Sequence, residues 1–228
     1  MPSTQSEHLE YTINEWCKEP FTTLLEAIFK NDNNTNTNNI TNFIDIGANV
    51  GGVIESLNKL NYIKNLKNIV CFEPDNDNFN FLSNICENIK KNNNIDIKCH
   101  NIGIFYGKTE AYVCGTGDNN IGGYFINDEN TNKERNYNIV KYDNKIFYLD
   151  IIEKYINFDI DVVKIDIEGS ELNVLEHSTI IKNSKYIILE WHFETNKLYD
   201  FLNNHLENFT IIYDCNNSNY LLKNKHRI

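Results

Sequence analysis

The sequence predicts an α/β protein: a mostly parallel, seven-stranded twisted sheet with helices on both faces, closed by an antiparallel C-terminal hairpin. Three observations predict it. Apolar strand-like runs alternate with helix-periodic segments from residue 42 onward. Two of those runs, DVVKIDI (161–167) and YIILEW (186–191), are nearly continuous in apolar residues, as strands buried on both faces must be. The last two, FTIIYD (209–214) and NYLLK (219–223), are joined only by CNNS, a hairpin connection.

Each element follows in order. Residues 7–30 read as an amphipathic helical lead-in ending in FTTLLEAIFK. NDNNTNTNN (31–39) is a polar, low-complexity loop. The chain thus divides into a lead-in with its Asn-rich loop, 1–39, and a main domain, 40–228. NFIDI (42–46) is the first strand, 50–60 a helix, and NIVCFE (68–73) the second strand. A helix over 77–91 carries Phe81, Leu82, Ile85 and Ile89 at helical spacing, and IDIKCHNI (95–102) is the third strand. Residues 104–148 break the rhythm with aromatics, glycines and short alternating stretches, and predict a β-rich insertion of hairpins and loops. A short helix over 149–156 precedes the fourth strand, 161–167. A helix over 170–177, the fifth strand at 186–191 and a helix over 197–206 lead to the hairpin. No internal repeat is present.

Composition limits the function classes. With 228 residues, 41% hydrophobic and 23% charged, the chain suits one sizeable soluble core. A formal net charge of −11 argues against a nucleic-acid binder, which shows a basic face. No run has the length of a membrane span. The polar start, MPSTQSEHLEYTINEW, lacks the apolar core of a secretory signal, so a cytoplasmic location is expected. The six cysteines (Cys17, Cys71, Cys86, Cys99, Cys114 and Cys215) are scattered and form no CxxC. They read as reduced structural thiols, with neither a disulfide framework nor a zinc site.

FIDIGANVGG (43–52) carries the first chemistry. A strand, a glycine turn and a helix start present backbone N–H groups to a ligand, and Gly47 and Gly51 permit the tight turn. The GxGxxG of dinucleotide sites fails here, because Asn49 stands where the second glycine belongs. The spacing Asp45, Gly47, Asn49, Gly51 resembles instead the first motif of class I methyltransferases, which bind S-adenosylmethionine. The next strand ends at Glu73, before Pro74, where a carboxylate can accept both ribose hydroxyls. An acid there serves NAD equally, so the first corner decides between the two. The third strand ends in HNIG (100–103), which places Asn101 and the backbone of Ile102 beside the adenine. The plain alternative is that Asp45 caps the following helix and the glycines merely make a turn.

FIDIGANVGG, FEPDNDNFNFLSN, NIGIFYGKTEAY, YLDIIEKY, VVKIDIEGSELNVLEH and IILEWH follow one another in that order. Over about Phe43 to His192 the chain resembles the FkbM family of S-adenosylmethionine-dependent methyltransferases. The resemblance implies a Rossmann-like class I methyltransferase fold and O-methylation, often of sugars or polyketide hydroxyls. It departs from the family at LEHS (175–178), where LxGA is usual, and over 115–145, which has no counterpart.

Methyl transfer to an alcohol needs alignment of donor and acceptor and removal of a proton. Lys164, Asp166 and Glu168 share one side of the fourth strand by their period of two, and Glu190 and His192 stand in the same relation after the fifth. Asp166 is placed nearest the donor, and His192 is the natural base near neutral pH. Glu168 and Glu190 are candidates to orient His192, to bind acceptor hydroxyls or to hold a divalent ion, and Lys164 to pair with an acid. Asp166, Glu168 and His192 could ligate a metal on chemical grounds, but no tight ligand motif supports one. Glu171 reads as part of a helix start, and His8, His100, His177, His205 and His226 as bystanders. GTGDNNIGGYF (115–125) reads as an acceptor-side lid.

The function expected is O-methylation of a sugar, glycan or similar polyol, with a small-molecule or glycan acceptor and no nucleic-acid or membrane partner. RNA ribose methylation would need a basic groove. A non-catalytic binding module is disfavoured by the intact corner and KIDIEG, and a nicotinamide oxidoreductase by Asn49.

Overall fold

Alternation along each strand divides the apolar residues between two cores, one on each face of a sheet. The computed structural model describes residues 4–30, 40–115, 125–126, 140–215 and 218–227. The Asn-rich loop (31–39) and residues 116–124 of the expected lid lie outside them.

The lead-in is two helices, α1 (Gln5–Trp16) and α2 (Phe21–Phe29). The single helix expected over 7–30 is broken at Pro20, which has no backbone N–H to continue it and takes the cap position of α2. β1 (Asn42–Ile46) then sends Phe43 to one core and Ile44 and Ile46 to the other. α3 (Gly52–Lys59) starts two residues later than expected, because Gly47, Asn49 and Gly51 all have positive φ and keep the turn out of the helix. β2 (Asn68–Phe72), α4 (Asn76–Asn92) and β3 (Asp96–His100) follow, with Asp75 capping α4 through the N–H groups of Asp77 and Asn78.

The insertion is β-rich, as expected. β4 (Gly103–Ile104), β5 (Glu110–Gly115), β6 (Phe125–Ile126) and β7 (Val140–Asp150) form a small sheet in the order β4-β7-β5-β6. β7 runs through to Asp150, and only a 3-10 turn at Ile152–Lys154 stands where a helix over 149–156 was expected. Asp150 draws the chain out of the strand by accepting the N–H of Ile151.

β8 (Val162–Ile165) is followed by α5 (Glu171–His177), a four-residue α6 (Thr179–Lys182), β9 (Tyr186–Glu190), α7 (Thr195–His205), β10 (Phe209–Cys215) and β11 (Asn219–Asn224). The main sheet has seven strands in the order β10-β11-β9-β8-β1-β2-β3. β9, β8, β1, β2 and β3 are parallel, and β11 pairs antiparallel with both β9 and β10.

α1 to α4 contribute to the core under one face, with Trp16, Leu24, Leu25, Ile54, Leu57 and Leu82. α5, α6 and α7 cover the other face through residues such as Val174, Ile181, Leu198 and Phe201. α1 lies against the start of α3: a Cβ on Gly52 would stand 2.4 Å from Thr12 Cβ. Among the described residues no helix is long and apolar enough to cross a membrane. The chain leaves β1 toward β2 and β3 on one side and returns to β8 and β9 on the other. Its topological switch therefore lies at the carboxyl ends of β1, β2 and β8, where open α/β sheets hold ligands.

Candidate functional site

The corner after β1 is closed on itself. Gly47 and Ala48 both donate their N–H to Phe72 O at 3.0 Å, and Asn49 N–H donates to Glu73 Oε2 at 2.8 Å. Val50 N–H donates to Asn49 Oδ1 at 2.8 Å and Gly51 N–H to Ala48 O at 2.9 Å. This corrects the expectation that the turn offers its N–H groups to a ligand: residues 47–49 use theirs to tie the corner to Phe72 and Glu73, and residues 50 and 51 use theirs to close the turn on itself. Gly47 is required here, because a Cβ would stand 1.8 Å from Asp166 O and φ is +79°.

Beside this corner opens a cleft at the carboxyl ends of β1, β2 and β8. Gly47, Asn49, Glu73, Pro74, Asp166 and Glu168 line it, with Phe72 and Phe147 among the apolar walls. Three carboxylates therefore face it, and no Lys, Arg or His among the described residues lines it. Glu73 is fixed by two backbone donors, Asn49 N–H to Oε2 and Asp75 N–H to Oε1, each at 2.8 Å. A carboxylate has about four lone-pair positions, so each oxygen keeps one for a ligand. Burial lifts the Glu73 carboxyl to about 8 against the pull of those donors.

Other expected residues are displaced from the cleft. Asn101 does not line it; its Nδ2 donates to Glu73 O and Pro74 O at 3.0 and 3.2 Å, bracing the acid's loop. Ile102 packs against the second core. Gly51 is the turn residue before α3, with φ +87°. Asp45 is wholly buried and lies behind the wall, where its neighbour is Lys164 Nζ at 3.3 Å. Burial raises its carboxyl, and Lys164 opposes that rise.

Lys164 is a buried strut. Its Nζ donates to Gly47 O at 2.8 Å and forms ion pairs with Asp166 at 3.1 Å and Asp45 at 3.3 Å; neither Asp45 oxygen has a hydrogen-bond partner among the described residues, so that pair is held by charge alone. Burial works against its charge, but Asp166 and Asp45 hold the ammonium well above the ordinary lysine range. Burial would raise Asp166; Lys164 and His192 outweigh it and keep that carboxyl below its usual range. The strut thus ties the glycine corner to the end of β8 and keeps Asp166 ionised at the cleft wall.

β8 stops at Ile165, one residue before Asp166, although Asp166 N–H still reaches Ile46 O at 3.1 Å. Beyond it Glu168 takes φ +53° and Gly169 φ +101°. A positive φ at Glu168 costs on the order of 1–3 kcal/mol. It is held by Glu171, whose Oε1 accepts from Gly169 N–H at 3.0 Å and Ile167 N–H at 3.3 Å.

The same Oε1 holds His192. Nδ1 lies 2.8 Å from it, while Nε2 is 3.4 Å from Glu168 Oε2 and 3.8 Å from Glu190 Oε1. Glu171 is thus more than part of a helix start; it is the residue that orients the imidazole, a role missed in the sequence. Its spacing from His192 is 21 residues, so only the adjacency of β8 and β9 brings them together. Burial, the largest effect, pulls His192 down, but the Glu171 hydrogen bond and the charges of Glu171, Glu168 and Asp166 lift it to about 10. This corrects the expectation of a base poised near neutrality: without ligand His192 is an imidazolium. Glu190 is raised to about 8 by Asp166 and by burial. Asp166, Glu190 and His192 bring ligand atoms within 4.8 Å of one another; Glu168, named with Asp166 and His192 as a metal candidate from the sequence, is not in that group.

The family model described as "Methyltransferase FkbM domain" matches residues 45–217, extending beyond the resemblance over about Phe43 to His192. Among solved structures the chain is similar to the methyltransferase FkbM from Methylobacillus flagellatus KT, with TM-score 0.55 and 16% identity, over 97% of this chain and 55% of that one. The chain therefore spans about half the length of that protein. It is also similar to M. capricolum TrmK, solved with the cofactor product S-adenosyl-homocysteine (TM-score 0.40, 15% identity, 90% of this chain and 68% of that one). An rRNA methylase from Escherichia coli gives TM-score 0.44 and 10% identity, over 98% of this chain and 78% of that one. Among curated proteins, none matches significantly.

Proposed function

This chain belongs to the FkbM methyltransferase family, and from that premise we propose that it is an S-adenosylmethionine-dependent O-methyltransferase whose acceptor is a hydroxyl of a sugar, glycan or similar small polyol. One observation carries the choice of cofactor: three carboxylates and no cationic side chain among the described residues line the cleft, and the N–H groups of the glycine corner are engaged internally. A pyrophosphate would meet acids where it needs donors. S-adenosylmethionine brings a sulfonium, an ammonium and two ribose hydroxyls, which such a wall suits. Bound there, it supplies the electrophilic methyl group.

The chain's own residues supply the rest. Glu73 would hydrogen-bond the ribose hydroxyls through the positions its two backbone donors leave open. Asp166, kept ionised by Lys164, faces positive charge at the cleft wall. A cation held against Asp166 lowers the pKa of His192 by like-charge repulsion. His192 stands outside the cleft lining, beside Asp166 and Glu168; an acceptor reaching past them would give Nε2 its hydroxyl proton, while Glu171 keeps the ring in place through Nδ1. The acidic surroundings and net charge of −11 favour a neutral polyol over RNA as acceptor.

Calorimetry tests the cofactor. S-adenosylmethionine and its demethylated product should bind and NAD should not. Tight binding of NAD with no response to either methyl compound would overturn the assignment.

A further inference from the structure

The cysteines that look scattered in the sequence include three that the fold gathers. β2 and β3 pair with Cys71 opposite Cys99, so both side chains project to the same face. α4 lies on that face and brings Cys86 down onto them. The three Sγ atoms lie within 4.8 Å of one another, and all three thiols are free. Cys71 and Cys86 are buried, while Cys99 is half-buried on the edge strand of the sheet.

We propose that Cys71, Cys86 and Cys99 form a binding site for a single thiophilic d10 metal ion of the zinc and cadmium type. Three thiolates around such an ion at about 2.3 Å would stand roughly 4.0 Å apart, so the existing cluster needs a contraction of less than about 1 Å. The soft sulfur set selects this class of ion over magnesium or calcium. Access is through Cys99 at the sheet edge. On binding, three S–H bonds give up their protons to solvent and three metal–sulfur bonds form; the ion keeps its charge and no electron moves. The bound ion would pin α4 to β2 and β3. β2 leads directly into Glu73, so the consequence is a stiffer wall for the cleft. The site itself does not depend on the methyl-transfer reading.

The test is titration of the reduced full chain with cadmium(II) under anaerobic conditions, followed by thiolate-to-cadmium charge-transfer absorption. A band that saturates at one equivalent, with the intensity of three thiolates, is expected. The thermal midpoint should rise with the ion. Cys99→Ser, at the exposed edge, should lower the band and abolish one-equivalent saturation, and Cys86→Ser should do the same. Cys17→Ser and Cys215→Ser should leave both unchanged. If Cys86→Ser does not fold, Cys99→Ser still decides. Absence of the band at one equivalent, or a full-intensity band in folded Cys99→Ser, would show that the three thiols are only packed together.

Discussion

Glu171→Gln separates the charge that holds His192 protonated from the shape that holds it in place. The Gln side chain keeps an oxygen for the N–H groups of Ile167 and Gly169 and for Nδ1 of His192, so the ring should keep its position. What disappears is one negative charge with its nearest oxygen 2.8 Å from Nδ1. Taking about 4 Å between charge centres and an effective dielectric near 20, that charge stabilises the imidazolium by about 4 kcal/mol. This corresponds to roughly three pKa units. His192, at about 10 in the native chain, should therefore titrate near 7 in the variant. Proton NMR of the imidazole ring measures it in ligand-free protein, with His192→Gln identifying the resonance among the six histidines. A shift of under about one unit, or a native His192 that already titrates near its ordinary value, would refute the reasoning.

Three further outcomes follow from the same geometry. Glu73 and Glu190 have folded-state pKa values raised to about 8, and His192 to about 10. Raised groups stabilise fully below their unfolded values and lose that contribution as pH climbs through the folded ones. Thermal midpoints should therefore be higher at pH 6 than at pH 9, with a shallower slope in Glu190→Gln; a flat or rising profile would contradict the assigned directions. Gly47→Ala places a methyl against Asp166 O at a positive φ and should destabilise the fold by about 2–3 kcal/mol in denaturant titrations. An unchanged midpoint would mean the corner is looser than described. Glu73→Ala should weaken S-adenosylmethionine binding by about 1.5–3 kcal/mol, read by calorimetry against the native chain.

The sheet was legible because its signals are local. DVVKIDI and YIILEW are short, β-branched apolar runs that suit buried strands, and Glu73 stands at the end of another. Phase along the strands also placed Lys164 and Asp166 on one side, where they pair. What escaped depended on neighbours far away in sequence. Asp45 was read as a ligand contact, but β1 is central and its register with β8 puts Lys164 beside it, behind the cleft wall. The N–H groups of the glycine corner look open in the sequence; they are closed by Phe72 O, by Glu73 just beyond β2 and by the turn itself. Glu171 passed for a helix-start acid because its contacts at Ile167 and Gly169 are local, while its bond to His192 is not. His192 looks poised near neutrality for the same reason: the carboxylates of Glu168 and Glu171 come from the segment after β8, and only that of Glu190 from its own strand end. The thiol cluster shows no spacing motif, since its members come from two strands and a helix.

The central claim is that an acid-walled cleft directs methyl transfer to a neutral hydroxyl. It is tested most directly by incubating the chain with isotopically labelled S-adenosylmethionine and a mixed pool of glycans, small polyols and RNA, then locating the label by mass spectrometry. Label is expected on an oxygen of a sugar or polyol, falling by about 10²–10⁴-fold in His192→Ala, which should retain cofactor affinity. Label found on RNA ribose, or undiminished transfer by His192→Ala across pH 6–9, would contradict it.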